Sequence, residues 1–197
     1  MLKVGDVVAN PRTGAMVEVT AWPKVAGPGK VQIRRLLRPG MGFRLPHVHV
    51  SVDESFEIEY GIGDFWIGHR TARLGEGQKF HVPRYEVHVG PINRSMSDLV
   101  YLQTIESART DAARRYVETL ALFLKERRDV RGDLPPIVAA AVFAGKDQQT
   151  FVPWLPWGFQ RDVLFPLAKS FEERREERRR RRALEKAARE EAAWADW

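Results

Sequence analysis

PGMGFRLPHVHVSVDESFEIEYG, residues 39–61, opens on a Pro-Gly turn and closes on Gly61. Between these lie His47, His49 and Glu54. In an extended strand, side chains alternate between faces, so residues i and i+2 point the same way. His47 and His49 are therefore placed to ligate one cation together, and Glu54, opening the next strand, is near enough to add a carboxylate. The same alternation aims Phe56, Ile58 and Tyr60 inward with Glu54, and Ser55, Glu57 and Glu59 outward. The expected cavity is largely apolar, with a metal at one end and the Tyr60 hydroxyl as a polar handle. A small aliphatic or aromatic molecule suits such a space better than a highly charged one.

A second stretch, GEGQKFHVPRYEVHVGPIN at 75–93, carries Gly77, Pro83, His88 and Asn93. His88 can supply a fourth ligand from a neighbouring hairpin. Around both stretches, short apolar or alternating runs recur between Gly/Pro turns. They predict strands at Val4–Ala9, Met16–Trp22, Val31–Leu37, His47–Val50, Ser55–Tyr60, Asp64–Arg70, Lys79–Val82 and Asp98–Ile105. Many short strands at this spacing point to a sandwich or closed barrel.

The two stretches resemble the paired motifs of the cupin superfamily. The first motif has His-x-His, then Glu, then Gly seven residues on, as at His47, His49, Glu54 and Gly61. The second has Gly, Pro six later, His five after that, then Asn, as at Gly77, Pro83, His88 and Asn93. Tyr85 stands where the family usually has Gly, and Asn93 falls one residue late, as if Gly90-Pro91 formed a bulge. The resemblance covers residues 1–106. It implies a mainly β fold, the cupin double-stranded β-helix or jelly-roll barrel, followed here by an α-helical C-terminal region. It implies His47, His49, Glu54 and His88 as metal ligands and Tyr85 as a residue of the pocket rim. Cupins often pair through edge strands, so a homodimer is expected.

Composition agrees with this chemistry. The 197 residues include five histidines and no cysteine, which excludes thiolate zinc sites, iron–sulfur clusters and a cysteine nucleophile. A metal must be held by nitrogen and oxygen, which suits divalent Fe, Mn, Ni, Co or Zn. Three neutral imidazoles and one carboxylate would leave a divalent ion a net charge of +1, with positions open for water or substrate. Glu54 is also the ligand able to act as a general base, and so the candidate catalytic residue. His69 and His81 match no ligand position and are expected at the surface or in strand packing. Arg34 and Arg44 are expected outside the barrel.

Beyond the barrel, residues 107–168 read as a helical extension. A helix capped by Ser107 or Thr110 runs to about Arg128, with Tyr116, Leu120, Phe123 and Leu124 on one face. Pro135-Pro136 starts a short second helix, Ile137 to Ala144. The aromatic run FVPWLPWGF, 151–159, then reads as a loop packed on the barrel or a lid over a pocket mouth. Residues 169–197 read as one charged helix. The formal charge of +6 suggests nucleic acid at first, but this tail carries ten basic and eight acidic residues. Interleaved Glu weakens phosphate attraction, so nucleic acid is not the expected partner. The longest apolar run, Ile137 to Gly145, is far short of the roughly 20 residues that span a bilayer. MLKVGDVVAN lacks a signal peptide's apolar segment. The expectation is a cytoplasmic metalloprotein, dioxygenase- or oxidoreductase-like, acting on a small organic molecule. A non-catalytic ligand-binding or sensing cupin and a metal-dependent isomerase or lyase are the alternatives.

Overall fold

Strands form where β-branched and aromatic residues alternate with polar ones, and the Gly/Pro turns end them. In the computed structural model, the described residues are 2–22, 29–126, 150–164 and part of 166–185. Among the described residues, ten strands precede the first helix: β1 (Val7–Ala9), β2 (Met16–Ala21), β3 (Gly29–Leu37), β4 (Val48–His49), β5 (Asp53–Tyr60), β6 (Gly63–Ile67), β7 (Arg70–Leu74), β8 (Lys79–Val82), β9 (His88–Ile92) and β10 (Leu99–Ser107). The helix α1 (Thr110–Glu126) and a short strand β11 (Thr150–Phe151) follow. All pairings are antiparallel.

One sheet has the order β1-β2-β3-β10-β5-β8 and a second has β7-β6-β9, while β4 pairs with β11. Long-range neighbours such as β3–β10 and β5–β10 bring distant segments together, which gives the jelly-roll its topology. Val31, Ile33 and Leu37 of β3, Phe56 and Ile58 of β5, Phe65 of β6 and Tyr101 and Ile105 of β10 fill the buried core. The helix α1 adds Ala112, Ala113, Tyr116, Val117 and Leu124 to that same core. Its register on the barrel is fixed at one end by Asn10, whose Nδ2 donates to the Leu124 carbonyl at 2.7 Å. Ser107, one of the two expected caps, donates instead to the Ser51 carbonyl (2.8 Å) and accepts from the Arg109 N–H (3.2 Å).

Among the described residues, three strands, β7, β9 and β11, have no counterpart among the expected ones. Residues 64–74 fold as a hairpin of β6 and β7 turning at Gly68, where φ is +52°. The β7 sequence, RTARL, lacks the apolar alternation that would announce it. Strand β9 holds Gly90-Pro91, residues that ordinarily argue against a strand. The anticipated motif glycine, Gly61, sits at φ +85°, and a Cβ there would lie 2.3 Å from the Asp98 carbonyl oxygen. That close approach explains why the position takes glycine.

The second helix expected at Ile137–Ala144, and the terminal residues Trp194 and Trp197, lie outside the described residues. In the aromatic run, Phe151 is buried while Trp154 and Phe159 are exposed. Gln160 folds the segment back on itself: its Nε2 donates to the Val152 and Leu155 carbonyls, and its Oε1 accepts from the Val152 N–H.

Candidate metal centre

His47, His49, Glu54 and His88 converge from three strands and a loop end. His47 forms a bridge to His88, each backbone N–H donating to the other's carbonyl at 3.0 Å. His49 follows on β4, and Glu54 faces inward on β5 between Ile105 of β10 and Val82 of β8. All four side chains are buried, and one donor atom from each lies within 4.8 Å of the others.

Each imidazole is aimed by its far nitrogen. His47 Nδ1 donates to the Leu45 carbonyl (2.9 Å) and His88 Nδ1 to the Glu86 carbonyl (3.0 Å). His49 Nδ1 is hydrogen-bonded to the Thr150 hydroxyl at 2.9 Å. A carbonyl can only accept, so Nδ1 carries the proton in His47 and His88, and Nε2 is left for the centre. His49 Nε2 is buried without a hydrogen-bond partner, 3.6 Å from Glu54 Oε2. An orphaned buried ring nitrogen beside a carboxylate and two further imidazoles fits a cation between them.

Glu54 is held just as firmly. Its Oε1 accepts from Gln103 Nε2 at 2.6 Å and from the Tyr116 hydroxyl, which turns Oε2 toward the imidazoles. Oε2 lies 3.0 Å from His88 Nε2. Burial works to raise the Glu54 carboxyl, but the neighbouring imidazoles of His49 and His88, with the hydrogen bond from His88, outweigh it and hold it well below the usual carboxylate range. Burial also works to lower His88, and its bond to Glu54 overcomes this and raises it. His47 is pushed well below its ordinary value by burial and by the neighbouring His88 and His49.

These directions set a pH dependence. Without metal, His88 carries its Nε2 proton to above the ordinary histidine range, while Glu54 stays ionised and His47 neutral. The His88–Glu54 pair thus contributes stability below the unfolded histidine pKa, lost as pH rises through the raised value. Metal must displace the His88 proton, so its affinity is expected to strengthen with rising pH, about tenfold per unit while His88 is charged. Titration calorimetry in two buffers of different ionisation heat should show up to one proton released per metal. A flat affinity between about pH 6 and about pH 8 would contradict this.

Three of the four donors, His47, His49 and Glu54, face a narrow cavity of about 40 Å³. Arg35, Phe43, Gln103, Tyr116, Leu120 and Thr150 are among the other residues of its wall. Three anticipated ligand histidines and Glu54 therefore come together, but the anticipated pocket wall does not. Phe56 and Ile58 point inward into the packed core, where Phe56 meets Phe65 and Tyr101. Tyr60 has the correct parity but ends its strand at the rim and is 53% exposed. Tyr85 is 67% exposed and borders a different hollow beside Val48, Phe151 and Trp154. It takes φ +69°, the left-handed conformation that glycine supplies in the motif it resembles. The hydroxyl that reaches the centre is that of Tyr116, not Tyr60.

Tyr116, Thr150 and Arg35 carry no expectation at the centre from sequence, and alternation along the last strand leaves open whether Gln103 or its neighbours face it. Of the remaining residues, His69 and His81 are exposed, with His81 Nδ1 bonded to the Ser55 hydroxyl. Arg34 lies outside as expected, gripped by Glu59 (2.7 Å) and Glu18 (3.2 Å). Asn93 is buried and stitches the loop before β10, donating to the Leu37 and Ser97 carbonyls and accepting from Ser95. No helix among the described residues is long and apolar enough to cross a membrane.

No family model and no curated protein matches the chain. Among solved structures, it is similar to an uncharacterized conserved protein with a double-stranded β-helix domain from Klebsiella pneumoniae. That likeness has 16% identity over 51% of this chain and 84% of the other, with a TM-score of 0.42. KdgF from Halomonas sp. is similar at 16% identity, over 50% and 83% of the two chains, with a TM-score of 0.41. A cupin protein from Bacteroides fragilis is similar at 16% identity, over 45% and 80%, with a TM-score of 0.37. With two antiparallel sheets in jelly-roll order and the donors of both histidine stretches meeting inside them, the chain has a cupin-like double-stranded β-helix fold and a buried group able to hold a metal ion.

Proposed function

We propose that His47, His49, Glu54 and His88 hold one divalent transition metal of the Fe, Mn, Ni, Co or Zn class, and that the protein is a metalloenzyme acting on a small organic molecule. The observation that carries this is the buried convergence of three aimed imidazoles and a carboxylate, one imidazole nitrogen being unpartnered. When bound, such a metal supplies Lewis-acid polarisation or redox chemistry, the latter making the activity dioxygenase- or oxidoreductase-like.

The chain's own groups do the rest. Leu45, Glu86 and Thr150 fix the imidazole planes. Gln103 and Tyr116 hold Glu54 Oε1, so that Oε2 alone faces the reacting space. Phe43 and Leu120 limit water in the cavity. Glu54 can accept a proton from a substrate at the carboxylate, with the Tyr116 hydroxyl beside it as a donor. That adjacency favours a second reading, a metal-dependent isomerase or lyase. The protein is further proposed to be a cytoplasmic homodimer, with the barrel at 1–106 as its catalytic part.

Protein loaded with Fe(II) or Mn(II) and screened against small organic acids and alcohols should consume oxygen with at least one of them. His49→Ala should abolish that uptake. Turnover without oxygen uptake would select isomerase or lyase chemistry. If wild type and His49→Ala bind the same ligand equally and neither turns it over, the enzyme reading fails and a binding or sensing role remains.

A further inference from the structure

Strand β3 alternates Val31, Ile33, Arg35 and Leu37 on its inward face. A guanidinium in that series is anomalous, because an inward cation is costly unless it is paired. Among the barrel arginines, Arg34 has Glu59 and Glu18, Arg38 has Asp98, Arg73 has Asp64 and Arg84 has Asp53, while Arg44, whose Nε is also buried without a partner, donates to the Gly40 carbonyl. Arg35 makes no ion pair among the described residues. Its Nη1 donates to Gln103 Oε1 at 3.3 Å, and its Cζ lies 5.6 Å from the centroid of the Tyr101 ring. Its Nε is buried without a hydrogen-bond partner. The side chain lines the same narrow cavity as His47, His49 and Glu54.

The geometry points to Arg35 as the anion-recognition residue of this cavity: the ligand is a small carboxylate whose charged end is taken by the Arg35 guanidinium. This rests on the metal reading above and names the substrate class for it. One amide separates the two charged elements, since Gln103 accepts from Arg35 with Oε1 and donates to Glu54 with Nε2. A divalent ion, the Glu54 carboxylate and the Arg35 guanidinium together leave the cavity with a charge of +2, which an acid neutralises and an uncharged molecule does not. A carboxylate also accepts two parallel N–H bonds from a guanidinium, a match that a neutral carbonyl lacks. The sequence leads one to expect a small aliphatic or aromatic molecule rather than a highly charged one; the inward guanidinium adds a carboxylate end to that ligand.

Oxalate and malonate serve as probes, with imidazole as an uncharged ligand for the metal. Binding is measured by calorimetry and NMR titration on full-length wild type, Arg35→Met and Arg35→Lys, each with its metal content determined. Arg35→Met should weaken both acids about 10- to 100-fold, the loss of a charge-assisted hydrogen bond. Imidazole affinity and metal content should stay unchanged, and Arg35→Lys should recover part of the affinity. Equal binding of the acids by wild type and Arg35→Met overturns the assignment. So does an Arg35→Met variant that loses metal and imidazole binding along with the acids, because Arg35 would then act only by positioning Glu54 through Gln103. The wild-type/Arg35→Met difference is also expected in chelator-treated protein. A wild type that takes up no metal therefore defeats the metal reading, while the titrations still decide this one.

Discussion

His88→Ala is expected to abolish stoichiometric metal binding, weakening affinity by more than about 100-fold, since even partners that only support a ligand are worth 10- to 100-fold. His88 is one of four donors in a buried set, and its Nε2 is 3.0 Å from Glu54 Oε2. Removing it also leaves Glu54 with one fewer counter-charge in a dry site, which costs about 3–5 kcal/mol of stability. His88→Gln separates these effects, because an amide can still donate to Glu54. Added metal should stabilise wild type by about 2.7 kcal/mol at a hundred times its dissociation constant, and should leave either variant unmoved. Metal analysis after gel filtration, together with thermal melts with and without metal, checks both parts. Stoichiometric metal in both variants would remove His88 from the site.

Phe56→Ala is expected to cost about 3–5 kcal/mol, measured by urea unfolding. Phe56 lies at the junction of the two sheets, its ring 5.2 Å from that of Phe65 and 6.0 Å from that of Tyr101. Its removal leaves a cavity that β-sheet neighbours cannot close. Metal affinity of the surviving folded protein should stay near wild type, because Phe56 does not border the donor cavity. A loss under about 1 kcal/mol with altered ligand binding would restore Phe56 to the pocket wall.

The donors were legible because strand alternation is a local rule. His47 and His49 share a face by parity, and Glu54 opens a strand whose polar residues alternate outward. Parity also held for Phe56 and Ile58, but a face of the sheet is longer than the site on it. Only the end of β5 near Glu54 borders the cavity; the middle packs in the core and Tyr60 emerges at the rim. Arg35 carries the same legible signal, standing between Ile33 and Leu37 on an inward face.

The residues that hold Glu54 and His49 were hidden for a different reason. On β10, Val100 and Leu102 alternate with Tyr101 and Gln103, and alternation alone does not tell which pair faces Glu54. Tyr116 reads as one apolar position on an amphipathic helix, and only the docking of α1 shows that its hydroxyl reaches the carboxylate. Thr150 meets His49 across 101 residues of chain. The helical extension, which looked like an appendage, thus supplies Tyr116 to the centre, and the segment after it supplies Thr150. A truncation at the end of the barrel would therefore remove support from the site as well as core packing.

The four donors are proposed to enclose one metal ion. Crystals of wild-type protein, purified without a metal-affinity column and grown with sub-stoichiometric Mn(II) or Fe(II), allow anomalous diffraction on either side of the metal's absorption edge. A single anomalous peak per chain is predicted among His47 Nε2, His49 Nε2, Glu54 Oε2 and His88 Nε2. An empty site there, with His88 still bonded to Glu54 and the metal elsewhere or absent, would contradict it.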